Sequence, residues 1–193
     1  MIPANNNYKL KPKFLLHVCC ATCALHPYFL LSKDFIVTLY FYNPNIHPKK
    51  EYNRRLKDVR MISKKYHIPL IIDKYEIKKW FELTKNLKEE PEGGTRCSVC
   101  FKMRLEKTAT AAKKLNIDLF GTTLTISPHK NYSTINSIGK TIADDKKLTF
   151  YESNFKKKDG FKKTIQLSNK LHISRQNYCG CIYSMRERFN ISN

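Results

Sequence analysis

The stretch FLLHVCCATC, residues 14–23, sets three cysteines directly behind a short, nearly apolar run. Residues 14–18 are typical of a buried strand, because four of the five side chains are large and apolar. The cysteines follow at once, and residues 24–31 have the composition of a helix. The stretch therefore predicts a strand, a cysteine-bearing turn and a helix in succession.

The same order of strand and helix repeats outward from this stretch. Runs of β-branched and aromatic residues predict further strands at residues 35–42, 69–73, 119–124 and 148–151. Apolar spacings of three and four predict helices at residues 48–66, 76–87, 101–115 and 132–143. The chain beyond is basic and less regular until a helical turn near residues 181–188. Alternating strands and helices form right-handed βαβ units, so we expect an α/β fold with a parallel sheet flanked by helices.

Length and composition favour one globular domain. The chain has 193 residues, of which 41% are hydrophobic and 12% aromatic, so a disordered or fibrous protein is excluded. We expect residues 1–13 to form a polar arm and residues 14–193 a single α/β domain with a basic C-terminal region. No apolar run is long enough to span a bilayer, and no secretory signal is visible, so a cytoplasmic location is expected.

The charge of the chain indicates a polyanionic partner. Lys and Arg number 36 against 16 Asp and Glu, which gives a net charge of +20. Part of this excess stands in blocks: Lys49-Lys50, Arg54-Arg55, Lys156-Lys157-Lys158 and Lys162-Lys163. Such blocks neutralise phosphates and release counterions, which favours a nucleic acid. A compositional bias towards lysine is the alternative. A membrane surface is less favoured, because no basic helix shows a free apolar face.

Seven cysteines are gathered in three clusters. The clusters are Cys19, Cys20 and Cys23; Cys97 and Cys100; and Cys179 and Cys181. Structural thiols would be scattered, and disulfides are not expected in a reducing compartment, so the clusters indicate metal binding or dithiol redox chemistry. Thiolate ligation suits Zn²⁺ or an iron–sulfur cluster, and the spacing does not decide between them. We expect the neighbouring Cys19 and Cys20 to point in different directions, so that one serves a second centre or the substrate.

Three histidines lie near the predicted carboxyl ends of the strands. Ligands of parallel sheets bind beyond these ends, so the segments after the first, second and fourth strands are expected to converge. His17, His47 and His129 belong to these segments. We predict that they deliver protons; the alternative is an ordinary core or surface histidine.

Five segments of the chain occur together in one known family. They are LLHVCCATC, FYNPNIHPKKEYNRR, EGGTRCSVCFKMRL, TTLTISPHKN and RQNYCGCIYS, which all lie within residues 14–186. In this order they resemble the QueH-type epoxyqueuosine reductases, the cobalamin-independent enzymes of tRNA queuosine synthesis. The resemblance implies a HUP-like α/β catalytic domain that reduces epoxyqueuosine to queuosine at the wobble position of tRNA.

The resemblance also implies cofactors and partners. A [4Fe–4S] cluster is expected on cysteines of these motifs, in particular on Cys19, Cys20, Cys97 and Cys100. A second, mononuclear iron is expected nearby, so all seven cysteines are candidate metal ligands. A redox dithiol formed by the last two cysteines is the alternative for that pair. The implied partners are tRNA with queuosine-type anticodons and an external low-potential electron donor.

Two other functions stay open at this point. A zinc-binding RNA-interaction module without catalysis would use the C-x-x-C pairs for structure only. A cluster-dependent tRNA thiolation enzyme would carry a pyrophosphate-binding loop after the first strand, where cysteines stand instead. Thr22 replaces the proline expected in the first cysteine turn of the family, which affects the rigidity of that turn but not ligation.

Overall fold

The sheet is parallel, with five strands in the order β3-β2-β1-β4-β5. The computed structural model describes residues 10–175 and 177–190, so residues 1–9 of the predicted polar arm lie outside the described part. The strands are β1 Lys13–His17, β2 Ile36–Phe41, β3 Leu70–Ile72, β4 Leu119–Thr122 and β5 Thr149–Phe150. The α/β fold class with a parallel sheet, predicted from the sequence, is confirmed.

Helices cover both faces of the sheet. Within the described residues they are α1 Ala21–Leu31, α2 Lys49–Lys65, α3 Ile77–Thr84, α4 Thr95–Lys114, α5 Tyr132–Lys146, α6 Gly160–Lys170 and α7 Ile182–Phe189. Side chains alternate along β1, so Phe14 and Leu16 enter one buried cluster and Leu15 the other. Helices α1, α2 and α6 contribute to the first cluster, and α3, α4, α5 and α7 to the second.

Three elements differ clearly from the sequence-based expectation, and the first is α4, which begins at Thr95 and not at residue 101. The fourth strand ends at Thr122, because its hydroxyl accepts a hydrogen bond from the backbone N–H of Leu124 at 3.2 Å and starts a 3₁₀ helix at Thr123–Ile126. Helix α6 lies in the stretch for which an irregular structure was expected. None of the described helices combines the length and the apolar character needed to cross a membrane.

The carboxyl ends of β1, β2 and β4 lie side by side. His17, the last residue of β1, is in register with Tyr40 of β2 and Thr122 of β4. Helix α1 begins at this edge because it follows β1, and α4 begins there because a helix that leads into a parallel strand runs antiparallel to that strand. The first two cysteine clusters are thereby carried to one edge of the sheet.

Candidate metal centre

Three cysteine sulfurs meet where β1 passes into α1. The Sγ atoms of Cys19, Cys20 and Cys23, the first thiol group, all lie within 4.8 Å of one another. Cys20 is the N-cap of α1, and its sulfur accepts a hydrogen bond from the backbone N–H of Cys23 at 3.4 Å. The expectation that Cys19 and Cys20 point apart is wrong, because the sulfurs of the two residues are 3.9 Å apart.

The first thiol group favours one thiolate. Hydrogen bonds from Cys20 and Cys23 hold the pKa of Cys19 well below its usual range, with help from the charges of Arg104 and Lys130. The hydrogen bond with Cys19 in turn raises the pKa of Cys20 to about 12, and it raises the pKa of Cys23 well above its ordinary value. A bound metal ion displaces such protons, so the three sulfurs are a ready set of metal donors.

The remaining cysteines form a second thiol group. Cys97 and Cys100 lie in the first turns of α4, while Cys179 and Cys181 directly precede α7. Cys179 interacts electrostatically with each of the other three. The second group is wider than the first: among the described residues, only the first group brings three ligand atoms within 4.8 Å of one another.

Three thiols of the second group, those of Cys97, Cys100 and Cys181, stay protonated without a cation. Burial raises the pKa of Cys97 to about 11, against a hydrogen bond of 3.2 Å that its sulfur accepts from the backbone N–H of Gly93. Burial also raises the pKa values of Cys100 and Cys181. Metal binding at this group therefore requires the release of protons.

Arg55 clamps the backbone of the C-terminal cysteines. Its Nη1 donates to the carbonyl of Cys179 at 3.0 Å, and its Nη2 donates to the carbonyl of Tyr178 at 3.4 Å. Its Nε is paired with the carboxylate of Glu51 at 2.6 Å. The sequence analysis counted Arg55 among the basic residues expected to contact a polyanion. Its side chain is buried, and it instead positions the backbone of Tyr178 and Cys179.

His47 supports the same segment from the end of β2. Its backbone N–H donates to the carbonyl of Gly180 at 2.7 Å, and its carbonyl accepts a hydrogen bond from the Tyr178 hydroxyl at 2.8 Å. Its Nδ1 accepts from the backbone N–H of Ile182 at 3.3 Å, and its ring packs 4.8 Å from the ring of Trp80. The loop after β2 thus holds the second thiol group in place.

A Gly180→Ala variant is expected to lower the free energy of unfolding by roughly 2–4 kcal/mol, because the costs of backbone strain and of overpacking are summed at this position. Gly180 has a φ of +120°, and a Cβ there would lie 2.9 Å from Nη1 of Arg55. Gly93→Ala is the matched control, because its φ is +97° and a Cβ would meet nothing within 4 Å. Denaturant unfolding measures both, and equal losses would contradict the tight contact with Arg55.

Both thiol groups open onto one cleft of about 530 Å³. Cys19 and Cys23 of the first group line it, and so does Cys179 of the second. Its volume is within the range of small-molecule sites, roughly 300–1,000 Å³. A nucleoside-sized ligand in the cleft would therefore contact both thiol groups.

Lys130 lies on the wall of this cleft, close to both thiol groups. Burial lowers the pKa of Lys130, but the thiols of Cys179, Cys19 and Cys23 outweigh burial and raise it above its ordinary value. Lys130 therefore remains protonated and places a positive charge beside the sulfurs.

Arg104 supplies a second positive charge from the buried side of the site. It is 1% exposed, and it donates from Nη2 to Oδ1 of Asn43 at 2.7 Å and from Nε to Nε2 of His17 at 3.4 Å. No carboxylate among the described residues is paired with it. It influences the thiols of Cys19 and Cys100 electrostatically and favours their anionic forms. A buried cation without a carboxylate partner favours an anionic neighbour, so the site fits an anionic metal–thiolate centre.

Of the three candidate histidines, only His129 lines the cleft, where it is exposed. His17 is fully buried, its Nδ1 lies 2.8 Å from Oγ1 of Thr122, and burial, followed by the charge of Arg104, lowers its pKa to about 3. Burial lowers the pKa of His47 to about 4. Both buried imidazoles are therefore neutral, and the role of the three histidines in proton delivery stays a prediction.

Sequence reasoning missed the two cations beside the thiols, Arg104 and Lys130. Arg104 follows Cys100 by four residues on a helix, so the spacing alone places both on one face of α4. Lys130 directly follows the candidate His129. Both positions carried a usable signal, which was hidden by the many exposed lysines and arginines of the chain.

The fold and the site together define a class of protein. The protein has a parallel α/β sheet, with thiols and buried cations at the carboxyl ends of the strands. This arrangement is typical of an enzyme that binds a metal through cysteine. Residues 14–187 match the protein family described as Epoxyqueuosine reductase QueH. The chain belongs to this family and is an oxidoreductase, as the resemblance of its motifs implied.

Individual relatives cover most of the chain. Epoxyqueuosine reductase QueH of Streptococcus pyogenes is 38% identical over 183 residues, which is 92% of this chain and 72% of that protein. The protein of the same name from Staphylococcus epidermidis is 40% identical over 182 residues, 90% of this chain and 76% of its own. That of Thermotoga maritima is 39% identical over 177 residues, 90% of this chain and 91% of its own. These similarities favour an enzyme over a non-catalytic zinc module.

Proposed function

We propose that this protein reduces epoxyqueuosine to queuosine at the wobble position of tRNA. The observation that carries the proposal is the opening of both thiol groups onto one cleft of nucleoside size. The names of the relatives support the substrate, and the net charge of +20 supports a polyanionic partner. A tRNA substrate also supports a cytoplasmic location.

The reaction needs electrons that side chains do not supply. Converting an epoxide to an alkene takes up two electrons and two protons and releases water. We assign the electron conduit to a [4Fe–4S] cluster with a second mononuclear iron, held by the seven cysteines and reduced by an external low-potential donor. When bound, this metallocentre supplies electrons and a Lewis-acidic iron. The all-thiol donor set and the buried cations support the assignment.

The chain's own residues supply charge, protons and rigidity. Lys130 places a positive charge at the cleft wall, where the departing oxygen of the substrate gains negative charge. His129 lies on the same wall with access to water, and is the group we assign to proton delivery. His17 and His47 are neutral and buried, so they hold the ends of β1 and β2 and the turn that carries Cys179.

Protein purified without oxygen is expected to contain iron and acid-labile sulfide, and to convert epoxyqueuosine in tRNA to queuosine. Air is expected to bleach its colour, because a cluster with an open iron site loses iron on oxidation. Metal and sulfide analysis, together with mass spectrometry of tRNA nucleosides, measures these outcomes. Zinc as the only metal, after reconstitution with iron and sulfide, would instead support the zinc-binding RNA module.

A further inference from the structure

Helix α6 is fixed to the helix that carries the first thiol group. The hydroxyls of Thr22 on α1 and Ser168 on α6 lie 2.8 Å apart. Thr164 accepts a hydrogen bond from the backbone N–H of His26 at 3.3 Å and donates one to the carbonyl of Thr22. Thr22, Thr164 and Ser168 are buried, so α6 has a defined position relative to the sulfur of Cys23.

A second face of α6 borders the cleft. Phe161 and Ile165 are one helical turn apart, are half-buried, and line the cleft beside Thr22 and Cys23. An aromatic ring at the wall of a nucleoside-sized cleft is a surface on which an unstacked base packs. Phe161 therefore lies on the path by which a base would approach the sulfurs of the first thiol group.

The third face of α6, together with the turn that precedes the helix, is basic and largely exposed. Residues 156–170 contain six lysines and one acidic residue, Asp159. Lys162 and Lys163 are exposed, and none of these six lysines is paired with a carboxylate in the described part of the chain. Arg175 and Arg188 are also exposed and line the mouth of the same cleft. Glu92 and Glu187 also line the cleft, but the basic side chains of the lining outnumber them, which suits a phosphate backbone.

We propose that α6 is the RNA-contacting helix of this enzyme: Lys162 and Lys163 bind phosphates of the anticodon arm, and Phe161 stacks on the wobble base inside the cleft. The proposal rests on the proposed tRNA substrate and adds the surface that binds it. A base-paired stem is too wide for a cleft of about 530 Å³, so only an unstacked loop base reaches the sulfurs. The stem stays outside, against the basic face.

The charge component is tested with the metal-loaded protein and an anticodon stem-loop RNA. The double variant Lys162→Ala, Lys163→Ala is expected to bind more weakly, and to flatten the dependence of log affinity on log salt by roughly one to two units. The matched control is Lys64→Ala, Lys65→Ala, an exposed pair in the last turn of α2 at the opposite edge of the sheet. Equal affinities and salt dependences for the two double variants would overturn the proposal.

The stacking component is tested at Phe161. Phe161→Leu keeps an apolar side chain without a ring, and is expected to weaken binding roughly 5- to 100-fold, while Phe161→Tyr keeps the affinity. With a stem-loop that lacks the wobble base, the leucine variant and the unsubstituted protein are expected to bind equally. An equal loss with and without that base would overturn the stacking contact.

The outcomes separate this proposal from the proposed function. If the unsubstituted protein forms queuosine but its RNA affinity depends on neither Phe161 nor Lys162 and Lys163, the role of α6 is wrong and the function stands. If RNA affinity depends on α6 but no queuosine is formed, the function is wrong and the RNA-binding surface stands.

Discussion

A Cys97→Ser variant is expected to lose bound metal and reductase activity together, each by at least about 100-fold, because removal of supporting groups alone costs about 10–100-fold at metal sites. Serine nearly preserves the volume, but its hydroxyl stays protonated at neutral pH and is a poor ligand for iron or zinc. Cys97 lies in the first turn of α4, so the helix itself is expected to form. Iron and sulfide per chain are measured beside the conversion of epoxyqueuosine in tRNA.

The control for this variant is Ser98→Ala, one position further along the same turn, which is expected to retain metal and activity. Full activity in Cys97→Ser would contradict the assignment of this cluster to the metal centre. The variants Cys179→Ser and Cys181→Ser separate ligation from redox chemistry. Loss of iron indicates ligation, whereas retained iron with lost turnover indicates a redox dithiol.

The strands were predictable from the sequence because each is a short run that is largely apolar, β-branched or aromatic and lies between polar turns. β1 and β2 are examples, and each of their observed bounds differs from the predicted one by a single residue. Helix α6 was not predictable in the same way. It packs on α1 through the hydroxyls of Thr164 and Ser168, so the apolar periodicity that marks a buried helix face is interrupted.

The site was predictable to the extent that topology determines it. The segments after β1 and β4 meet in the cleft, where Cys19 and Lys130 lie, because parallel strands end at the same edge. The loop after β2 lies beneath the second thiol group instead, with His47 buried against the turn at Gly180. The spacing of the cysteines along the chain does not show that Cys179 lies near the cysteines of α4. That proximity depends on Arg55 and on contacts between distant parts of the chain.

An Arg104→Met variant is expected to destabilise the metal-loaded protein by roughly 3 kcal/mol, as for one partner removed from a buried charge pair. For a domain of this size the loss corresponds to a fall in Tm of about 6–12 °C. The metal-free protein is expected to lose less, because most of its thiols are then protonated and no carboxylate in the described part of the chain is paired with Arg104. Thermal unfolding of both forms under anaerobic conditions measures the difference.

Arg104→Lys is the matched control because it keeps the charge and loses the bond of 2.7 Å from Nη2 to Asn43. Its loss is expected to be about 1–2 kcal/mol, the contribution of a hydrogen bond to a charged group, and nearly equal in the two forms. The argument depends on the difference between the variants: methionine removes the charge that balances an anionic centre, and lysine does not. Equal destabilisation of both forms by Arg104→Met would show that the buried guanidinium does not stabilise a metal–thiolate centre.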